Sequence, residues 1–358
     1  MRKIMSFIAI TALLFACSKT ESIVPSDQES AFKKGKPTLI VTTDAATYIL
    51  PFGATLGGSV SKSGGGNKVT ERGVCYGLSV DPTIDGDGDV AVPSGSGSGT
   101  FTCILPGLAE GTLYYARAYA NKSKKGIITT TYGNEVTFTT ADAVYGLFTD
   151  NDGNEYTTIL IGEQEWMMEN LKTTKYRNGD DISFVEGDGT DWANLSTGAY
   201  CNYGNNINNV DTYGRLYNWF AVNDGRNIAP AEWHVPTEDD YRTLMNYVGG
   251  SNVTGIKLKE EGNVHWLTQP WYGDVGGDNS SGFTALPGGC RNIWGGSGSS
   301  FNYKNDRGNW WTADAQGPDD ALYIYLQSSS AWIWGIGYGT GMQDNDRRSG
   351  HSVRLIKD

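Results

Sequence analysis

Trp233 to Gly250 reads WHVPTEDDYRTLMNYVGG, the clearest helix in a chain otherwise written in strands, loops and glycines. Thr237 is placed to cap it, and Asp240, three residues on, is a short-armed capping-box partner. Glu238, Asp239 and Asp240 fill the first turn, where the positive end of the helix dipole favours acids. Tyr241, Leu244, Met245 and Val248 recur at i, i+3, i+4 and i+7 and make one apolar face. Gly249 and Gly250 stand where a left-handed C-cap needs them. Nothing on this helix is a nucleophile or a metal cluster, so it reads as a core element.

Around it lies a chain of 358 residues with 48 glycines, 40 acidic and 28 basic side chains and a net charge of −12. That length suits two domains, and the acidity argues against nucleic acid as a partner. All eleven tryptophans and fourteen of the twenty tyrosines fall after Ala141. This break in composition separates a first domain, residues 37–141, from a second, residues 142–358.

Residues 1–17, MRKIMSFIAITALLFAC, join Arg2 and Lys3 to an apolar run too short for a permanent span. The ending Leu14-Phe15-Ala16-Cys17 resembles the lipobox of bacterial lipoprotein signal peptides. By that resemblance residues 1–16 are removed, Cys17 is lipidated, and Ser18 directs the protein to the outer membrane. The alternative is an ordinary secretory peptide with a cysteine at its boundary. Residues 17–36 then form a polar, flexible tether on a membrane anchor. The sequence leaves open whether the anchored protein faces the periplasm or the cell exterior.

The first domain alternates short apolar runs with turn residues, which predicts six or seven antiparallel strands in a sandwich. Leu108 and Tyr114 resemble a tyrosine corner. The run GLxxGTLYYARAYA…YGNEVTFTT resembles a fibronectin type III or immunoglobulin-like domain, which implies an all-β spacer. Asp85-Gly86-Asp87-Gly88-Asp89 lacks the closing glutamate of a calcium loop and reads as a solvated turn. If disulfides form, the domain split favours Cys75–Cys103 and Cys201–Cys290; all four thiols can equally stay free.

In the second domain, Asp152-Gly153 signals a turn, Tyr156–Ile161 and Gln164–Met168 read as paired strands, and Leu216, Trp219, Phe220 and Asn223 fall on one helical face. The series YxTxxIGxQxWMxENL, YGRLYNW, WHxPTxxxxxxL, GFTALPGGxR, WWTA and SVRLIKD resembles the Fibrobacter succinogenes major paralogous domain, carried on many Bacteroidetes lipoproteins. More distantly, WHVPTEDD, Gly-Gly-x-Arg and the final Val-Arg-Leu resemble formylglycine-generating sulfatase-modifying enzymes. That likeness implies an α+β, C-type-lectin-like fold with two helices on a twisted sheet. Many members of the paralogous family carry cysteines where this chain has Ala229 and Leu355, so here packing must hold that junction.

The copper-binding cysteine pair of the formylglycine-generating enzymes is not matched, since Cys290 has no neighbour at short spacing. His234, His265 and His351 are scattered, and His234 reads as a loop histidine bonded to backbone. Asp274, Asp278 and Asn279 could form a calcium loop of the lectin type but match no lectin calcium motif, so no cofactor is assigned. Trp310, Trp311, Trp332 and Trp334, with Asn309 and Asp314, are the candidate ligand-binding residues, because aromatic faces stack on sugars while amides and carboxylates bond hydroxyls. The competing reading is core: Trp332 and Trp334 share a strand face, and Trp310 and Trp311 point to opposite ones. The expectation is a lipid-anchored envelope protein that recognises a glycan or another envelope protein. The alternatives are an enzyme on the formylglycine-generating scaffold and a structural part of a surface assembly.

Overall fold

The computed structural model describes residues 38–63, 68–187, 189–268, 275–294, 298–335 and 344–358. Cys17, the tether and Asp274 lie outside them. The described chain is mostly β-sheet with few helices, in a multidomain, sandwich-containing arrangement.

Nine strands precede Ala141, more than the six or seven expected, and they form two antiparallel sheets. In one, Gly53–Ser63 pairs with Thr38–Thr43, Thr47–Leu50 and Gly99–Pro106. In the other, Leu113–Lys124 pairs with Val69–Gly77, Ile127–Tyr132 and Val136–Thr139. The period of two places Tyr114, Ala116, Ala118 and Ala120 in a shared core with Leu56, Val74, Tyr76, Phe101 and Cys103. Tyr114 Oη accepts the Ala109 N–H at 2.9 Å, the backward bond expected of a tyrosine corner.

Of the two alternatives the sequence leaves open for the cysteines, the structure shows the unpaired one: all four thiols are free and buried. Val74 and Tyr76 face the inter-sheet core, so alternation turns Cys75 to the other face, where its thiol donates to Pro82 O. Cys103 sits inside that core and donates to Val92 O. Cys201 packs with Trp192 and Leu216, whereas the Cys290 thiol donates to Asn292 Oδ1. Burial pushes Cys75 and Cys103 up to about 11 and Cys201 and Cys290 up to about 12, so these are not reactive thiolates.

After Ala141 the strands Tyr145–Thr149, Glu155–Ile161, Gln164–Met167, Ile356–Lys357 and Trp233–His234 make one antiparallel sheet. The helix Glu238–Tyr247 follows with its full capping box, Thr237 accepting the Asp240 N–H and Asp240 accepting the Thr237 N–H. Gly250 N donates to Met245 O and Gly249 N to Asn246 O, both glycines at positive φ, which is a Schellman ending. A second helix, Ser251–Leu258, follows directly. Tyr241, Leu244, Met245 and Val248 bury against Ile159, Trp166, Trp310 and Ile324. Leu50 from the first half enters the same cluster, and Phe52 N donates to Ser280 O at 3.2 Å, so the two halves share packing as well as chain.

The helix expected over Leu216–Asn223 is a single turn, Trp219–Val222. Asn218 caps it, and Leu216–Tyr217 is a strand paired with Ala199–Cys201. Trp219 and Ala221 are buried there, so tertiary packing rather than a helical stripe orders this stretch.

A buried amide explains why the motifs occur together. Asn170 Oδ1 accepts from Trp310 Nε1 at 2.8 Å and Arg354 Nε at 3.1 Å, while its Nδ2 donates to Tyr213 O at 2.8 Å. Arg354, itself buried, also donates to the carbonyls of Phe283 and Thr284. One residue of ENL thereby joins YGRLYNW, WWTA and SVRL, and Arg354 extends the connection to GFTALPGG.

Candidate functional site

The strands Arg307–Gln316, Asp320–Gln327 and Ile333–Trp334 lie side by side and antiparallel, and their register decides which side chains meet. Directly opposed residues share a face. Asn309 opposes Tyr325, and Tyr325 opposes Trp334, which makes one row across three strands. Arg307, Tyr323 and Trp332 belong to the same face by alternation. Leu322, Ile324 and Leu326 point the other way and are buried.

The aromatic rings on this face stack in series. Tyr323 and Tyr325 lie 6.0 Å apart between centroids, Tyr325 and Trp334 5.9 Å at an interplanar angle of 7°, and Trp334 and Trp332 6.1 Å. Trp332 ends the row 45% exposed. At the other end His351 stacks on Tyr323 at 4.7 Å.

Beside Tyr323 is a cavity of about 230 Å³ lined by Cys290, Asn292, Tyr303, Arg307, Asn309 and Asn345, among others. It is smaller than a pocket for a whole organic ligand, ~300–1,000 Å³, so it suits one substituent or ring, with the aromatic row carrying the rest. The Arg307 guanidinium lies 4.2 Å from the Tyr303 ring centre and 5.0 Å from that of Tyr325. Asn309 is 2% exposed and its Nδ2 has no hydrogen-bond partner; Arg307 Nε and Trp334 Nε1 are likewise buried and unbonded. Asn345 Oδ1 accepts from Asp346 N and Ser349 Oγ, which fixes the amide so that Nδ2 faces His351 Nε2 at 3.2 Å. Burial pulls His351 down to about 3, so the ring is neutral at ordinary pH. Burial also raises the Tyr323 and Tyr325 hydroxyls above their usual range, leaving them protonated donors.

Of the residues singled out in the sequence, Asn309, Trp332 and Trp334 come together here. The others do not. Trp310 is 0% exposed on the opposite face, in the helix-side core, and Gly308 leaves room for its ring, because a Cβ there would sit 2.2 Å from Trp310 Cη2. Trp311 is also 0% exposed, covered by His351 at 4.3 Å, with its Nε1 donating to Tyr217 O. Neither ring reaches a ligand. Asp314 lies within a register shift in its strand and accepts the Glu238 N–H at 2.7 Å, so it serves the helix N-terminus. His234 contacts carboxylates rather than backbone, Asp358 at 2.7 Å and Asp240 at 3.4 Å. Asp278 accepts Ser280 N and the Asn279 amide is engaged with Thr284. Among the described residues no group of three His, Cys, Asp or Glu is placed to hold a metal.

Tyr303, Arg307, Asn292, Asn345, Tyr323 and Tyr325 were missed in the sequence. The alternation Leu322-Tyr323-Ile324-Tyr325 carried the signal for the two tyrosines, since it puts both on the face opposite the aliphatics. The others enter from separate strands and loops.

Fold and site together define a β-rich architecture with an aromatic row and a polar pocket on its second half. The family described as the Fibrobacter succinogenes major domain matches residues 159–357, and the chain belongs to that family. No curated protein matches significantly. Among solved structures, the chain has a partial likeness to the sensor domain of the anti-sigma factor RsgI4 of Pseudobacteroides cellulosolvens. The match has 16% identity and a TM-score of 0.21, over 29% of this chain and 95% of that one.

Proposed function

We propose that this chain is a carbohydrate-recognition protein of the bacterial envelope. The observation that carries the reading is the row Tyr323–Tyr325–Trp334–Trp332, four rings in series with a polar pocket at the Tyr323 end and an exposed ring, Trp332, at the other. Flat aromatic faces take the C–H faces of sugar rings, and neighbouring amides take their hydroxyls. The second half is read as an α+β, C-type-lectin-like domain distantly related to the formylglycine-generating enzymes. The first half is read as a fibronectin- or immunoglobulin-like spacer. Cys17 is read as the lipidated anchor in the outer membrane. The nature of Cys290 favours binding over the cysteine chemistry of the enzyme relatives, because burial holds its thiol protonated.

The test is a glycan array probed with the purified protein and with Trp332→Ala and Trp334→Ala variants. Specific binding that falls about ten-fold, or ~1.4 kcal/mol, in folded variants supports the reading. Binding indifferent to both substitutions refutes it.

A further inference from the structure

We propose that the pocket at the head of the aromatic row receives a carboxylate, so that the recognised carbohydrate is an acidic one bearing a uronic or similarly carboxylated sugar. This rests on the carbohydrate reading of the same site.

The pocket holds unpaired buried donors and, among its described lining, no carboxylate. The buried lining groups without hydrogen-bond partners are Asn309 Nδ2 and Arg307 Nε, both donors. The carbonyl oxygens of the neighbouring amides are already engaged: Asn292 Oδ1 accepts from the Cys290 thiol and from Asn345 Nδ2. Asn345 Oδ1 accepts from Asp346 N and Ser349 Oγ. A buried donor left unpaired is destabilising, so the pocket favours a ligand that supplies acceptors. A sugar hydroxyl satisfies one donor but brings a proton that itself needs an acceptor. A carboxylate brings acceptors only, and it matches the guanidinium fork.

Charge agrees. No aspartate or glutamate is among the described residues lining this cavity, although the chain has 40 acids. Arg307 is the charged residue there. Its ion pair is a 3.7 Å approach to Asp306 Oδ2, too long for a hydrogen bond, and Asp306 Oδ1 is held by Ser328 Oγ at 2.6 Å. Tyrosines 303 and 325 cover the guanidinium, which leaves its in-plane N–H groups for a ligand. The net charge of −12 repels an acidic ligand at a distance, but charges beyond about 8 Å are largely screened at physiological salt, while Arg307 acts in direct contact.

The experiment is calorimetric titration of the purified protein with a panel of acidic oligosaccharides, namely galacturonate, glucuronate and sialylated chains, each paired with its carboxyl-reduced form. The expected result is at least one acidic member binding about ten-fold tighter than its reduced partner. Arg307→Gln should bring that ratio near one, and Arg307→Lys should keep part of it, since charge remains without the planar fork. Asn309→Ala should also lower the ratio, which keeps the test open if Arg307→Gln unfolds. Equal binding of acidic and reduced forms, still dependent on Trp332, would overturn the carboxylate and leave the sugar site standing. Binding of neither form of any member would overturn both.

Discussion

Replacing Asn170 by alanine removes the amide on which four sequence motifs converge. The side chain is buried, and its loss strands the Trp310 indole N–H, the Tyr213 carbonyl and one donor of buried Arg354. Each orphan costs about 1–3 kcal/mol, the charged one toward the upper end, so the total is roughly 4 kcal/mol. For an ordered unit of this size each kcal/mol lowers Tm by about 2–4 °C, which gives a fall of about 8–16 °C. Asn170→Asp keeps both acceptors and adds charge beside Arg354, so it should cost less than alanine although it loses the donor to Tyr213. Thermal unfolding followed by near-ultraviolet circular dichroism, which reports the packed tryptophans, reads the effect. A fall of less than about 3 °C for Asn170→Ala would refute the view that this amide joins the motifs.

Three further outcomes follow from the same packing. Burial lowers His351 in the folded state to about 3 against about 6.5 unfolded, so the unfolded chain binds the extra proton between those values and stability is lost as pH falls through them. The loss should reach roughly 4 kcal/mol near pH 3, and His351→Gln should remove most of that acid dependence in denaturant titrations at pH 7 and pH 4. Ala229 and Leu355 are both fully buried in one cluster, beside the pairing of Trp233 with Lys357, so the double cysteine variant should form a disulfide detectable by mass with unchanged fold; free thiols after oxidation would contradict that placement. Trp310→Ala empties a core site and should destabilise by ~3–5 kcal/mol, whereas exposed Trp332→Ala should shift Tm by only a degree or two.

What could be read in the sequence was what local chemistry decides. Thr237, Asp240 and Gly249 fix their helix through contacts within a few residues, so the reading carried over to the structure. Tyr114 and its bond to Ala109 N are local in the same sense. The tryptophans were harder, because alternation assigns a face and not what covers it. Trp311 lies on the same face as Tyr323 and is closed off by His351, forty residues later in the chain. The sequence left the pairing of Cys75 and Cys103 open for a related reason, since pairing depends on which side of a strand each thiol occupies. Arg307 and Asn309 become a pocket only when Asn292 and Asn345 arrive from other strands, and no spacing in the sequence records that meeting.

The site itself is tested most directly by the indole N–H of Trp334, buried without a partner beside the aromatic row. In 1H–15N spectra of the protein titrated with a glycan selected from the array, the account predicts that the Trp334 and Trp332 indole signals move together and saturate. Trp310 and Trp311, bonded to Asn170 and Tyr217 in the interior, should stay in place. A saturating titration that leaves Trp332 and Trp334 unmoved would contradict the assignment of this face as the binding site.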